Sequence, residues 1–387
     1  MKGRPSLFFV ALAAGLAWSG SEAAAACAPT ASAAGPSNTT ITCSGTVNNQ
    51  NSPNGYGTGD QNNDTINVTA GTTVMGTTNG SLLANGLFLG SGNTVNNSGT
   101  ITGNAFASGV ESLGAITVKN SGSITGAGNG VFSPLGSATV TNNASATINV
   151  TGIAVDANDV TVTNSGTISS NNNNTGAIVG QNSANITNNL NATITNSGAG
   201  AATIVAAGLT LMNAGTIQET GGGGGTAIIA VGGTASITNS GMIQATGTST
   251  ALQTFGIDSV AATTSITNNK GATIQATTAA PNSFGIFSTA ATSTTLMNAG
   301  TVLGNEDGFN TNTSGTTTVT NSGTISGAGR SGIRVNSASI TNDTGGLITG
   351  AVGIFSRSGG GTSVFNDGTI TGTGGTSIQF STGAVNT

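Results

Sequence analysis

The sequence predicts an all-β solenoid, a parallel β-helix with three short strands per coil and about 13 coils. Three observations predict it. An asparagine returns at one phase of a repeat averaging about 24 residues, a length typical of one solenoid coil. Val and Ile keep fixed distances from that asparagine, in runs of about three to five β-prone residues broken by Asn and Gly. Finally, 63 Gly coexist with 36% hydrophobic residues, and apolar side chains held in phase distinguish a repeat protein from a disordered low-complexity chain.

From the N-terminus, Lys2 and Arg4 precede an uncharged run holding Phe8, Phe9, Val10, Leu12, Leu16 and Trp18, and small residues occupy 23–26. A basic start, a short apolar centre and an A-x-A type end read as a secretory signal peptide over residues 1–26. The run is too short and too rich in small residues for a membrane span, and no later stretch reads as a transmembrane helix. Cleavage removes Lys2, Arg4 and Glu22 and leaves 5 basic and 11 acidic residues. Cys27 and Cys43 are the only cysteines, and in an exported chain they are expected to form a disulfide. The other use, a lipid-modified N-terminal Cys27, conflicts with Ala24, where lipoprotein signals place a Leu-like residue. Residues 27–64 are expected to cap the open end of the solenoid, with the repeats running over 65–387.

The repeat is plain from Thr94 onward. Its short form spans an apolar residue, an Asn two places on, a Gly, and an Ile or Val six places on, as in Val95–Ile101 and Val364–Ile370; a longer form inserts two residues after the Asn, as in Val140–Ile148. The anchors are Asn97, Asn120, Asn142, Asn164, Asn188, Asn213, Asn239, Asn268, Asn298, Asn321, Asn342 and Asn366. A third apolar site follows, usually just after Gly, as in Gly109-Val110, Gly130-Val131, Gly152-Ile153, Gly256-Ile257 and Gly332-Ile333. Coils stacked about 4.8 Å apart pair each strand with its copies above and below, sending Val and Ile inward and Thr outward. Asn and Gly suit the sharp corners, and asparagines at one phase predict a side-chain amide ladder. Intervals of 29 and 30 residues between Asn239 and Asn298 predict protruding loops around 244–254 and 275–283. Asn196, in Ile194-Thr-Asn196-Ser-Gly198, competes with Asn188 as an anchor.

The recurring Val-Thr-Asn-Ser-Gly-Thr-Ile-Ser/Thr-Gly unit, with Gly-Ile-x-Val/Phe between copies, resembles the N-terminal passenger region of type V autotransporters, in the style of large adhesin-like proteins of alphaproteobacteria. It covers residues 27–387. The resemblance implies a right-handed β-helix, displayed on the cell surface through a C-terminal outer-membrane barrel. The sequence departs from that pattern: a barrel needs many alternating segments with aromatic girdles, whereas the chain after the leader has one Tyr, no Trp and ten Phe. A translocator barrel is therefore expected in cis beyond this sequence, which ends Ala384-Val385-Asn386-Thr387 after a coil of interior type. With a barrel the product is a cell-surface or extracellular protein; without one it is periplasmic.

Chemistry is sparse. The chain has 7 basic and 12 acidic residues, a net charge of -5, and no His. This excludes His-based catalysis and His-bound zinc, and it leaves no basic patch for nucleic acid. Glycoside cleavage needs two carboxylates at a set separation. The nearest pairs are Asp156 with Asp159, read as lying in a corner after a third strand, and Glu306 with Asp307, read as lying in a corner before one. Both are read as solvated turn carboxylates with no cation beside them. Asp60-Gln-Asn62-Asn-Asp64 resembles the start of a calcium loop but has Thr65 and Gly71 where Gly and Glu are needed. Gly221–Gly225 lacks the Lys-Ser/Thr of a phosphate loop and reads as a flexible corner. Arg330, Arg334 and Arg357 lie on neighbouring coils and read as isolated, solvated arginines, with a small basic spot as the alternative.

No cofactor and no catalytic residue is implied. The expected function is that of an exported structural or adhesive passenger, non-catalytic, with a host surface or glycan as partner. The alternative is a polysaccharide-binding or polysaccharide-cleaving β-helix. Ice binding would want a flatter, more regular Thr array. The solenoid reading predicts that the purified protein gives a β-type circular dichroism spectrum and scatters as a rod on the order of 60 Å long; a random-coil spectrum or a compact globule would contradict it.

Overall fold

The computed structural model describes residues 25–31, 37–77, 83–248, 252–278, 282–312, 315–357 and 361–381. The predicted signal peptide lies almost wholly outside the described residues. Among them every regular element is a strand, and the strands stack in parallel into a β-solenoid of about 14 turns with three short strands per turn, one turn more than the repeat count suggested. No helix among the described residues is long and apolar enough to cross a membrane.

One coil illustrates the rest. Its first strand is Ile116–Asn120 and its second is Ser123–Gly126; its third begins at Val131 and runs on into the first strand of the next coil as Val131–Asn142. The first-strand column stacks Val95, Val118, Val140, Val162 and Ile186. The second stacks Ile101, Ile124, Ile148, Ile168 and Ile194. The third stacks Val110, Val131, Val155, Ile178 and Ile204. All these side chains are buried, so the core is three apolar columns facing one another along the axis. The alternation of a strand sends the intervening Thr and Ser outward.

The twelve anchor asparagines form a continuous ladder. Each Nδ2 donates to Oδ1 of the next anchor, from Asn97 to Asn120 at 2.8 Å through to Asn342 to Asn366 at 2.7 Å. The same amide also donates to a second-strand carbonyl one coil on, as Asn97 does to Ser123 at 3.0 Å. At several corners Oδ1 accepts the backbone N–H two residues later, as from Gly99 at 3.1 Å and Gly166 at 3.2 Å. This explains the Asn-x-Gly spacing: the side chain closes the corner and satisfies its own buried polar atoms. The glycine before the third strand has a steric cause. A Cβ on Gly109 would lie 2.6 Å from Cγ2 of Ile124, and one on Gly130 would lie 2.7 Å from Cγ2 of Ile148.

Several expectations are corrected. Stacking begins at Thr40 rather than 65: Thr40–Ser44 pairs in parallel with Thr65–Val68, and Thr46–Asn48 with Thr73–Met75. The residues that cover this end include Ala26–Ala28, antiparallel to the first coil. The Cys27–Cys43 disulfide ties that strand down, and the Gln50 amide brackets the Cys27 backbone, accepting from its N–H at 2.6 Å and donating to its carbonyl at 2.7 Å. The residue that joins the third column after Asn142 is Val155, not Ile153. Asn188 is the anchor, as expected; its competitor Asn196 ends the second strand Thr193–Asn196 and donates to the carbonyls of Asn172 and Ala202. Much of the length expected as loops near 244–254 and 275–283 is strand, because the second strands extend over Met242–Gly247 and Thr273–Thr278. Residues 249–251 and 279–281 lie outside the described set.

Breaking the ladder at mid-length leaves the donor of Asn164 and the acceptor of Asn213 without their partner. Asn188→Ala is therefore expected to cost about 1–3 kcal/mol per stranded group, read as a lower denaturation midpoint with loss of amide-exchange protection around coils 164–213. The outward, exposed Thr210→Ala should change stability by no more than about 0.5 kcal/mol.

Candidate functional site

The three faces of the solenoid differ in chemistry. Outward positions of the first strands carry rows such as Thr94, Thr117, Thr139 and Thr161, and those of the second strands Thr100, Ser123, Thr147 and Thr167. The third face carries instead the row Asp258, Phe287, Asn310, Arg334, Phe355 and Gln379. Beside it run Phe255, Phe284, Asp307, Ser331 and Val352. Aromatic and charged groups thus gather on this one face, here toward the C-terminal end and also toward the N-terminal end, where the same row holds Phe88, Glu111, Phe132 and Asp156. Phe255 stacks on Phe284 with centroids 5.4 Å apart, and Phe287 closes the cluster at 5.6 and 5.5 Å.

The two acid pairs are not solvated turn residues. Asp156 lies inside the strand Val155–Asn164, in register with Phe132 and Val179, and is 8% exposed. Burial raises its pKa, offset in part by a hydrogen bond with Gln181. Asp159 is exposed on the same strand and accepts from the Ser183 hydroxyl at 2.6 Å. Asp156 thus lies in the outward row of the third strand but is covered, whereas Asp159 is exposed to water.

Glu306 forms an ion pair with Arg330. Asp307 is fully buried at the start of Asp307–Thr311; it accepts from the backbone N–H of Ser331 at 3.0 Å and from Asn310 Nδ2 at 2.7 Å. Burial pushes its pKa to about 6, helped by the charge of Glu306 and opposed by Arg330, Asn310 and Arg357. A cation does stand beside this pair, against the sequence reading.

Nor are the arginines isolated. Arg357 donates to Asn310 Oδ1 at 2.9 Å, to Asn336 Oδ1 at 3.3 Å and to the Thr311 carbonyl, and burial lowers its pKa. Arg334 rests over the Phe355 ring, 5.1 Å from its centroid. Arg330, Ser331, Arg334, Val352, Phe355 and Gln379 line a recess of about 260 Å³. A second, of about 200 Å³, is lined by Asn282, Glu306, Gly329 and the same Arg330.

The calcium-like segment is used by the fold. Asp64 is buried and accepts from the Thr39 N–H at 2.7 Å, Gln61 Oε1 accepts from Thr58 at 2.8 Å, and Asn62 Oδ1 accepts from Ser91 at 2.8 Å. Among the described residues no group of three or more His, Cys, Asp or Glu could hold a metal ion.

The Gly221–Gly225 run packs round a residue that the sequence reading passed over. Glu219 is fully buried, accepts from the Gly221 N–H at 2.8 Å, and leaves Oε2 without a partner. A Cβ at Gly225 would sit 2.1 Å from that oxygen, so a larger residue there would displace the Glu219 carboxyl. Burial pushes Glu219 to about 8 and Asp258 to about 6. The one available signal for Glu219 was an acid placed just before a glycine run.

No family model, no curated protein and no solved structure matches the chain. The class is that of a parallel β-solenoid.

The raised carboxylates fix the sign of the pH dependence. A folded-state pKa above the unfolded value means that the stabilising contribution is complete below the unfolded pKa and is lost as pH rises through the folded one. For Glu219 that window runs from 4.5 to about 8, and for Asp307 and Asp258 from 3.8 to about 6. Thermal melts by circular dichroism should give a higher midpoint at pH 5 than at pH 8. Glu219→Gln should raise the midpoint at pH 8 and flatten the part of the slope above about pH 6.

Proposed function

We propose that the chain is the structural and adhesive body of an exported surface protein of the autotransporter kind, presenting a long face rather than turning over a substrate. The observation that carries this reading is the unbroken stack: three inward apolar columns and a continuous amide ladder make a stiff support, with rows of Thr and Ser on two faces and the distinctive groups on the third. Presentation is favoured over cleavage because one acid of the first pair is covered while the other is exposed, and the acids of the second pair are engaged by Arg330 and Asn310. Export through residues 1–26 and display through a translocator barrel in cis complete the proposal. A second reading, glycan binding, is favoured by the two adjoining recesses that share Arg330.

Fused to an outer-membrane translocator barrel, the chain should be protease-accessible on intact cells and should confer adherence that the barrel alone does not. Incubated with polysaccharides, the purified protein should release no new reducing ends. Depolymerisation that is lost in Asp156→Ala with Asp159→Ala, or in Glu306→Ala with Asp307→Ala, would replace this reading with a cleaving enzyme.

A further inference from the structure

We infer that the recess between Arg330 and Phe355 binds the carboxylate of an acidic sugar, so that the adhesive face takes a uronate-bearing glycan lying along the solenoid axis. This rests on the adhesive reading above and names its ligand class. The first reason is the state of Arg334. Its guanidinium is held against Phe355, yet its Nε is buried with no hydrogen-bond partner. A guanidinium carries five donors and no acceptor, and a buried donor left unpaired is costly. The planar fork of an arginine matches a carboxylate in two parallel hydrogen bonds, and a carboxylate set side-on to this guanidinium would supply the one acceptor that Nε lacks.

Charge narrows the choice. Three of the 7 basic residues of a chain with net charge -5 fall here, but they are not equivalent. Arg357 is turned inward onto Thr311 and Asn310, and Asn310 in turn holds Asp307, so Arg357 is a positioning residue. Arg330 is 48% exposed but is half neutralised by Glu306. The mouth of the recess thus offers about one net positive charge, suited to a singly charged carboxylate rather than a polyanion.

Shape supports a sugar. A volume of about 260 Å³ is several times the roughly 30 Å³ of a water. Val352 and Phe355 supply apolar wall for the C–H face of a pyranose, and the exposed Gln379 supplies a polar group for hydroxyls. The second recess continues from Arg330 toward Asn282, that is, across successive coils. The coil spacing of about 4.8 Å is close to the length of one pyranose in an extended chain, so a neighbouring residue of the same glycan reaches it.

The test is isothermal titration of the full chain with tetragalacturonate, with maltotetraose as the neutral probe and inorganic sulfate as competitor. Binding of the acidic tetramer is expected, with no binding of the neutral one. Arg334→Gln should weaken it about tenfold or more, as loss of a hydrogen bond to a charged group implies; Arg334→Lys should weaken it less, Gln379→Ala by a few-fold, and Lys119→Gln not at all. Each variant is checked for its β-type spectrum, and if Arg334→Gln fails to fold, Arg334→Lys and Gln379→Ala decide. Absence of binding, undiminished binding by the arginine variants, equal binding of maltotetraose, or equally effective displacement by sulfate would each overturn the inference. Cell adherence is scored separately. Adherence unaffected by Arg334→Gln leaves the display reading standing without this site. Tetragalacturonate binding without adherence removes the display reading and keeps the site.

Discussion

Every coil of this protein is stable only against its neighbours, and from Asn97 to Asn366 the contact that fixes one coil over the next is the line of asparagine amides; the two coils before it carry Cys43 and Val68 at that phase. A single turn of three short strands exposes its apolar side chains and nearly all its backbone hydrogen-bonding groups. Stacking resolves both at once, but while a one-residue slip would turn the apolar columns outward, a two-residue slip of strands that alternate Thr with Val and Ile would keep the alternation. The amide row removes that freedom. Each Asn must meet the Asn above and below while closing its own corner, so a coil out of register strands buried polar groups. The apolar columns, the corner glycines and the outward Thr rows follow from that registration.

The ladder runs on one side of the coil, where its corner takes at most two extra residues, as after Asn142 and Asn188, and larger variation is tolerated elsewhere. Insertions enter between the second and third strands, where the second strand can lengthen, as it does over Met242–Gly247 and Thr273–Thr278. The third face inherits whatever those corners bring. Phenylalanine clusters, a buried Asp307 and the arginines of successive coils meet there because their positions follow the most variable segment of the repeat. A regular support with one irregular face is an economical arrangement for recognition: the stack holds side chains rigidly, and the face can change without disturbing the ladder.

The buried carboxylates belong to the same trade. Glu219 inside a glycine corner and Asp307 beneath Ser331 occupy places where an apolar residue would cost less, and burial raises both. Asp307 has a structural use, because through Asn310 and Arg357 it ties three successive coils together at the edge of the recess. No comparable network surrounds Glu219; it has one backbone donor and a tight glycine enclosure.

The sequence by itself determined the solenoid, the anchor asparagines, the inward columns and the Cys27–Cys43 pairing, because each depends on residue type at a phase that repeats within one coil. It did not determine the start of the stack at Thr40, where the repeat motif is too degenerate to recognise, or the choice of Val155 over Ile153. It also misplaced the charged groups. Asp156 and Asp307 read as solvated turn carboxylates, and Arg330 and Arg334 as isolated arginines, because partners such as Gln181, Ser331, Glu306 and Phe355 sit about one coil away in the chain, and corners of unequal length hide which residue lies above which. Only the tertiary structure settled that registration. Neighbours across a solenoid are set by the cumulative length of every corner between them, whereas the periodicity within a coil is written locally.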